Sequence, residues 1–98
     1  MQPWAEKFYS GDAWQRCRAS YMKKAGGLCE ICLEKGIVTP AEIVHHRQPL
    51  TPANIHDPAL TLNFANLQAL CRKHHAEVHS GRIRRYRVDE LGRVIAED

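Results

Sequence analysis

The most informative stretch of the sequence is residues 66–79, NLQALCRKHHAEVH. Within it, Cys71 and His74 form a C-x2-H pair, a spacing at which two side chains can reach one metal ion. The sequence predicts a helix over residues 72–80 that stops at Gly81. On that helix His75 and His79 are four residues apart and share one face, so both imidazoles can bind a metal ion.

A second pair of candidate ligands, Cys29 and Cys32, lies in the segment LCEIC, which is expected to form a compact turn. The two pairs are separated by 38 residues and together supply the four nitrogen and sulfur ligands of a closed tetrahedral zinc site. The pattern therefore predicts a structural zinc ion bound by Cys29, Cys32, Cys71 and His74. The identity of the fourth ligand stays open, because His75 directly follows His74. The simpler interpretation is that the cysteines are ordinary buried residues.

A short segment between the pairs, residues 42–46 (EIVHH), has the β-branched composition of a strand. Adjacent side chains on a strand point to opposite faces, so His45 and His46 can serve different purposes. One imidazole can bind a metal while the other accepts a proton from water, as a hydrolytic site requires. Residues 47–65 are expected to be a loop, with His56 at the surface. The simpler interpretation of His79 is an exposed helix residue.

The N-terminal part predicts a helix over residues 10–25 with Ser10 as N-cap and a hydrophobic staple between Tyr9 and Trp14. Gly26 and Gly27 are expected to end it. Cys17 lies on its apolar face and is predicted to be a small core residue rather than a ligand.

The C-terminal part, RRYRVDELGRVIA, predicts a β-hairpin with its turn at residues 89–92. Four arginines lie in RIRRYR, residues 82–87, and they fit either a solvated strand or contacts to DNA phosphates: Arg82, Arg84, Arg85 and Arg87.

The length and composition fit one small domain of 98 residues that needs a staple, since so short a chain buries a modest core. The formal charge of +3 permits nucleic-acid binding without requiring it. The sequence shows neither a membrane-spanning apolar run nor a signal peptide, so we expect a cytoplasmic protein. In that reducing compartment, metal ligation by the cysteines is favoured over disulfides.

The combination of FYSGDAW, C-x2-C, VHH and NLQALCRKHH resembles the HNH endonucleases, over about residues 8–80. The resemblance implies an α+β treble-clef fold with a ββα-metal core, a structural zinc ion, one catalytic divalent metal ion and hydrolysis of DNA to 5′-phosphate products. Two features depart from the common family pattern. Many members have a second C-x2-C where Cys71 and His74 stand, and many have Asp in place of His45. Imidazole at that position favours zinc or nickel over magnesium, although manganese and magnesium remain candidates.

The resemblance also implies a role for each motif residue. His46 matches the general base, and Asn66 matches the middle residue of the motif, which orients the base and the loop. The expected ligands of the catalytic metal are His45, His75 and His79. His79 and the nine-residue step from Asn66 to His75 match the colicin-type members. The family further implies a phage or prophage gene and association with the genome-packaging terminase.

Two alternatives compete with the nuclease. A non-catalytic zinc-finger module that binds DNA or protein explains the zinc ligands and the arginines, but it leaves the remaining histidines and Asn66 without a purpose. A structural or assembly protein with a degenerate site is less favoured, because all the motif residues are present.

Overall fold

In a computed structural model, residues 2–81, 87–88 and 94–95 are described. Three helices occupy the N-terminal third: α1 (Pro3–Tyr9), α2 (Asp12–Lys24) and α3 (Glu30–Glu34). Strand β1 (Ile43–His46) is followed by α4 (Pro58–Thr61), a 3-10 turn (Phe64–Asn66), strand β2 (Leu67–Leu70) and helix α5 (Arg72–His79). Strands β3 (Arg87–Val88) and β4 (Val94–Ile95) complete the described elements. The predicted α+β class is confirmed.

Strands β1 and β2 pair antiparallel, with His45 opposite Gln68 and His46 opposite Leu67. One face of this ribbon packs against α2, where Val44, Leu67 and Ala69 join a buried cluster with Trp14 and Tyr21. Leu70 belongs to a second buried cluster that includes Val78 of α5 and the cysteines at residues 29, 32 and 71. The two faces of the ribbon therefore support different parts of the molecule.

A half-buried carboxylate connects three of these elements. Glu30 of α3 accepts hydrogen bonds at 2.6 Å from the Tyr21 hydroxyl of α2 and from the backbone N–H of Ala69 in β2. Burial and the bond to Glu30 both raise the pKa of Tyr21, so its hydroxyl stays protonated and remains a donor. This contact fixes the distance between α2, α3 and the ribbon.

The prediction of one N-terminal helix over residues 10–25 was partly wrong. The chain forms two helices here, α1 and α2, and Ser10 caps the C-terminal end of α1 while Gly11 precedes α2. Pro3 starts α1 because its fixed φ suits the first helical turn and its missing N–H is not needed there. The Tyr9–Trp14 contact is present, with ring centroids 5.5 Å apart.

The predicted end of this helix is confirmed at Gly26 and Gly27, which have φ of 68° and 72°. The N–H of Gly27 bonds Met22 O and that of Gly26 bonds Lys23 O, which is a Schellman motif. Positive φ at both positions is easily accommodated only by glycine.

Other predicted elements differ in detail. The strand at 42–46 and the helix at 72–80 are confirmed within one residue at each end. The expected turn at LCEIC is a short helix, α3, and the expected loop over 47–65 contains α4 and the start of the 3-10 turn. Strands β3 and β4 pair antiparallel, as the predicted hairpin requires, while its turn at 89–92 lies outside the described residues. Among the described residues, the helices are too short or too polar to cross a membrane.

Candidate metal sites and active-site cleft

The predicted zinc ligands come together at the N-termini of two helices. Cys29 is the N-cap of α3 and Cys71 is the N-cap of α5, while Cys32 and His74 stand three residues further along. This shared geometry explains why the x2 spacing works, since a side chain at the N-cap and one in the first turn lie on the same side of a helix start. All four residues are buried, and their ligand atoms lie within 4.8 Å of one another.

The distances within this cluster fit a tetrahedral ion. His74 Nδ1 lies 3.5 Å from Cys29 Sγ, 3.3 Å from Cys32 Sγ and 3.3 Å from Cys71 Sγ. The sulfurs of Cys32 and Cys71 are 3.9 Å apart. Zinc bonds of roughly 2.3 Å to sulfur and 2.0–2.1 Å to nitrogen place tetrahedral ligands roughly 3.5–3.8 Å from each other. The donor set and its size therefore both suit zinc.

The thiols have different proton affinities. Burial tends to raise the pKa of the Cys29 thiol, but hydrogen bonds from Cys32 and Cys71 outweigh it and hold that pKa below its usual value. Burial raises the pKa of Cys71, and the neighbouring Cys29 and Cys32 raise it further. Three thiolates this close repel one another, so a cation is needed for all of them to ionise together.

The structure also separates the two adjacent histidines of α5. His74 Nδ1 joins the cysteines, and its Nε2 lies 3.8 Å from the Glu77 carboxylate, which favours a proton on that nitrogen. His75 turns away from the cysteines toward His79. Of the two candidates for the fourth position, the geometry therefore brings His74 to the cluster.

A second group of imidazoles forms between β1 and α5. The ring centroid of His45 lies 5.5 Å from that of His75 and 6.4 Å from that of His79. The centroids of His75 and His79 are 4.3 Å apart. The Nε2 atoms of His75 and His79 are separated by 2.8 Å. Two nitrogens, each about 2.0–2.1 Å from one ion, reach this separation at an angle of about 90°. The three predicted ligands of the catalytic metal are thus neighbours.

Gln68 adds a contact to this group that sequence reasoning missed. Its Oε1 accepts a hydrogen bond from His45 Nε2 at 3.0 Å across the strand pair. A neutral imidazole that donates from Nε2 keeps its lone pair on Nδ1, so Gln68 selects the tautomer of His45. The signal in the sequence is weak, because the strand register that places Gln68 opposite His45 depends on β2.

His46 occupies the opposite face of β1, as predicted. Its Nε2 donates to the backbone carbonyl of Thr61 at 2.8 Å, and its ring packs on Trp14 with centroids 4.7 Å apart. The Nδ1 atom therefore carries the lone pair, and the Tyr9 hydroxyl lies 3.3 Å from it. His46 is only 3% exposed, so the surrounding residues hold its ring in one orientation.

Asn66 is fully buried and holds the loop that follows β1. Its side chain accepts a hydrogen bond from Gln48 N–H at 2.7 Å and donates to Leu60 O at 2.8 Å and Gln48 O at 3.3 Å. Leu60 directly precedes Thr61, whose carbonyl holds His46. Asn66 is thus placed to orient the loop directly and His46 through the backbone.

A cleft of about 440 Å³ is lined both by His46 and by the group of three imidazoles on β1 and α5. Its walls include all four histidines of β1 and α5 that lie outside the zinc cluster, together with aromatic residues of α1: His45, His46, His75, His79, Trp4 and Tyr9. Sequence reasoning missed Trp4 and the contribution of α1, because it placed the first helix at residue 10. The convergence of imidazoles in one cleft is what metal-assisted hydrolysis requires.

The remaining predicted residues lie elsewhere. Cys17 of α2 is half-buried against the cluster that contains Trp14 and Tyr21, and its sulfur lies 3.6 Å from Leu62 O. Burial raises the pKa of its thiol, which agrees with the prediction of a core residue. The side chains of the predicted phosphate contacts lie outside the described residues: Arg82, Arg84, Arg85 and Arg87. His56 is exposed, as predicted.

Comparison with known proteins addresses the family and the fold. The family model for HNH endonucleases matches residues 29–81, more than half of the chain. The chain is also similar to the HNH endonuclease of the deep-sea thermophilic bacteriophage GVE2, whose crystal structure was solved with a manganese ion. The match has a TM-score of 0.69 and 34% sequence identity, and it covers 85% of this chain and 86% of the other. A search of curated proteins found no significant match. The predicted family resemblance is confirmed.

Proposed function

Because the chain belongs to the HNH endonuclease family, we propose that it cuts DNA by hydrolysing phosphodiester bonds with His46 as general base. The observation that supports this proposal is that the two adjacent histidines of β1 have different surroundings. His45 faces two further histidines on α5, whereas His46 is held separately by Thr61 O and Trp14. A zinc-binding module without catalysis does not need two adjacent histidines with such different surroundings.

In the proposed reaction, His46 Nδ1 takes a proton from a water molecule as the water oxygen attacks phosphorus. The bond from phosphorus to the 3′ oxygen breaks, and that oxygen takes a proton from solvent water, so the products are a 5′-phosphate and a 3′-hydroxyl. The Thr61 carbonyl keeps Nε2 protonated, so the basic lone pair stays on Nδ1, and it stabilises the imidazolium that forms. Asn66 preserves that geometry through Leu60.

A divalent ion bound by His45, His75 and His79 would contact a phosphate oxygen and stabilise the charge on the departing 3′ oxygen. His45 would bind through Nδ1, since Gln68 engages its Nε2. Three imidazoles favour zinc or nickel over magnesium. The manganese ion in the structure of the bacteriophage relative supports manganese as one candidate.

We further propose that Cys29, Cys32, Cys71 and His74 hold a structural zinc ion. The buried tetrahedral arrangement and its distances support this assignment. The ion would join α3 to α5 and so fix the helix that carries His75 and His79. Its binding energy would contribute directly to folding.

We also propose that residues 1–98 form one nuclease unit, with a core at about 8–80 and the predicted basic C-terminal hairpin at about 82–96. We propose that the arginines of the hairpin contact DNA phosphates without reading sequence. The bacteriophage origin of the solved relative supports a role in phage DNA processing, with a terminase as a predicted partner. Because metal ligation by cysteines is typical of a reducing compartment, we propose a cytoplasmic location, in the host cell for a phage gene.

The direct test is cleavage of supercoiled plasmid with Mg²⁺, Mn²⁺, Ni²⁺ or Zn²⁺ supplied separately. We expect relaxed or linear DNA with at least one metal, and the ratio of the two products distinguishes nicking from double-strand cleavage. His46→Ala serves as the inactive control because it leaves every proposed metal ligand in place. Intact plasmid under all four conditions would favour a binding module instead.

A further inference from the structure

A second cleft borders α1 and has a volume of about 540 Å³. That size is within the range of small-molecule sites, roughly 300–1,000 Å³. Its walls combine two aromatic rings, two basic side chains, one carboxylate and one aliphatic residue: Trp4, Phe8, Lys7, His56, Asp12 and Ile55. Trp4, Lys7 and Phe8 are spaced i, i+3 and i+4 on α1 and so lie on one face of that helix.

This cleft adjoins the cleft that contains the histidines, because Trp4 lines both. The ring of Phe8, which lines the second cleft, has its centroid 6.1 Å from His46 and 5.8 Å from Trp14. The second cleft therefore lies next to the proposed general base, through the Phe8 ring and through Trp4, which lines the same cleft as His46. Any DNA strand that passes His46 would bring its neighbouring nucleotides to this position.

We propose that the α1 cleft binds one unpaired nucleobase of the DNA strand beside the cleaved bond. Aromatic rings stack on any base, which suits an enzyme that recognises strand shape rather than sequence. Trp4 and Phe8 are half-buried, whereas Lys7, Asp12 and His56 are exposed. The carboxylate of Asp12 disfavours a phosphate next to it, so the flanking phosphates would run along Lys7 and His56. The base thus occupies the aromatic interior and the backbone stays at the rim.

The substrate class follows from this assignment, which rests on the proposed nuclease function. A base inside a continuous duplex is paired and stacked, so it reaches the cleft only after unstacking that costs a few kcal/mol. Single strands, flaps and mismatches present an unpaired base without that cost. We therefore expect the enzyme to bind and cut such DNA in preference to perfect duplex.

The test measures binding rather than cleavage, with no catalytic metal added. The chain has two tryptophans, and Trp14 is buried at 4% exposure, so quenching of tryptophan fluorescence by a stacked base reports on Trp4. The probes are a short single-stranded oligodeoxynucleotide and the same backbone with abasic sites. The parent protein should bind the normal oligonucleotide roughly 5- to 150-fold more tightly, with quenching, because stacking on an aromatic side chain is worth about 1–3 kcal/mol per base.

Substitutions at Trp4 and at a distant control position test whether the base stacks on Trp4. Trp4→Ala should reduce the preference for the normal oligonucleotide, Trp4→Phe should retain most of it, and Val38→Ala, at an exposed position outside the lining of either cleft, should change nothing. Equal binding of the two oligonucleotides by the parent protein would overturn the proposal, even if Trp4→Ala fails to fold. A preference that survives in folded Trp4→Ala would also overturn it. Base-dependent binding without plasmid cleavage would refute the nuclease mechanism alone, whereas cleavage without base-dependent binding would refute only this site.

Discussion

Replacing Asn66 with alanine removes a side chain that is fully buried and that holds two separate segments of backbone. The amide accepts from Gln48 N–H at 2.7 Å and donates to the carbonyls of Leu60 and Gln48 at 2.8 and 3.3 Å. The substitution leaves these backbone groups without their partner in an interior position. The loop after β1 then loses its fixed position relative to α4.

The expected loss of stability can be worked out from these contacts. Each hydrogen bond contributes roughly 0.5–1.5 kcal/mol net, so three bonds amount to about 3 kcal/mol in the free energy of unfolding. For a domain of about 100 residues, 1 kcal/mol shifts the melting temperature by roughly 4–8 °C. Asn66→Ala should therefore melt roughly 10–25 °C below the parent protein.

Asn63→Ala is the matched control, since Asn63 is exposed and its side chain accepts from the N–H of Ala65 at 3.0 Å to cap the 3-10 turn. Loss of such a cap costs about 1 kcal/mol. Asn66→Asp keeps an acceptor for Gln48 but turns a second oxygen toward the Leu60 carbonyl, so it should destabilise as well. Thermal unfolding followed by circular dichroism measures all three variants. If Asn66→Ala melts within a few degrees of Asn63→Ala, the assigned role of Asn66 is wrong.

The other predictions concern the metals and the DNA. The purified protein should contain one zinc per chain, and Cys29→Ala should lose that zinc and unfold at a much lower temperature; a metal-free protein unaffected by the change would exclude a structural ion. Gln68→Ala should lower the affinity for the catalytic metal ion by roughly 10- to 100-fold, because His45 loses the partner that sets its tautomer. The metal dependence of cleavage measures this affinity, and an unchanged value would contradict the role of Gln68. Arg84→Ala should weaken binding to all DNA sequences alike and lower the slope of log affinity against log salt by about 1, whereas a loss confined to one sequence would mean base recognition.

The metal-binding groups were predictable from the sequence because their spacing is local. Ligands at the N-cap and the first turn of one helix are three residues apart wherever the helix lies, and His75 and His79 share a helix face for the same reason. The adjacency of His45 and His46 likewise fixes their opposite directions once β1 is a strand. Such features depend on secondary structure alone.

The features that were missed depend on tertiary contacts. Strand β2 is buried along its whole length, so it shows no alternation of polar and apolar residues, and its pairing with β1 places Gln68 opposite His45. Helix α1 has only seven residues and is stabilised by packing of its aromatic side chains on Trp14 and His46 rather than by helix propensity. The Thr61 carbonyl that orients His46 is a backbone group and leaves no trace in the residue types.

The central claim is that His45 and His46 act separately, one holding the catalytic metal and the other taking the proton. The measurement that tests it is the rate of plasmid cleavage as a function of Mn²⁺ concentration for the parent protein, His46→Ala and His45→Ala. His46→Ala should reach half its maximal rate at the parental Mn²⁺ concentration while that maximal rate falls by roughly 10²–10⁴. His45→Ala should need far more Mn²⁺ and recover activity in part as Mn²⁺ is raised. If His46→Ala cuts as fast as the parent, or if both variants shift the metal dependence alike, the two histidines do not have the separate roles that we propose.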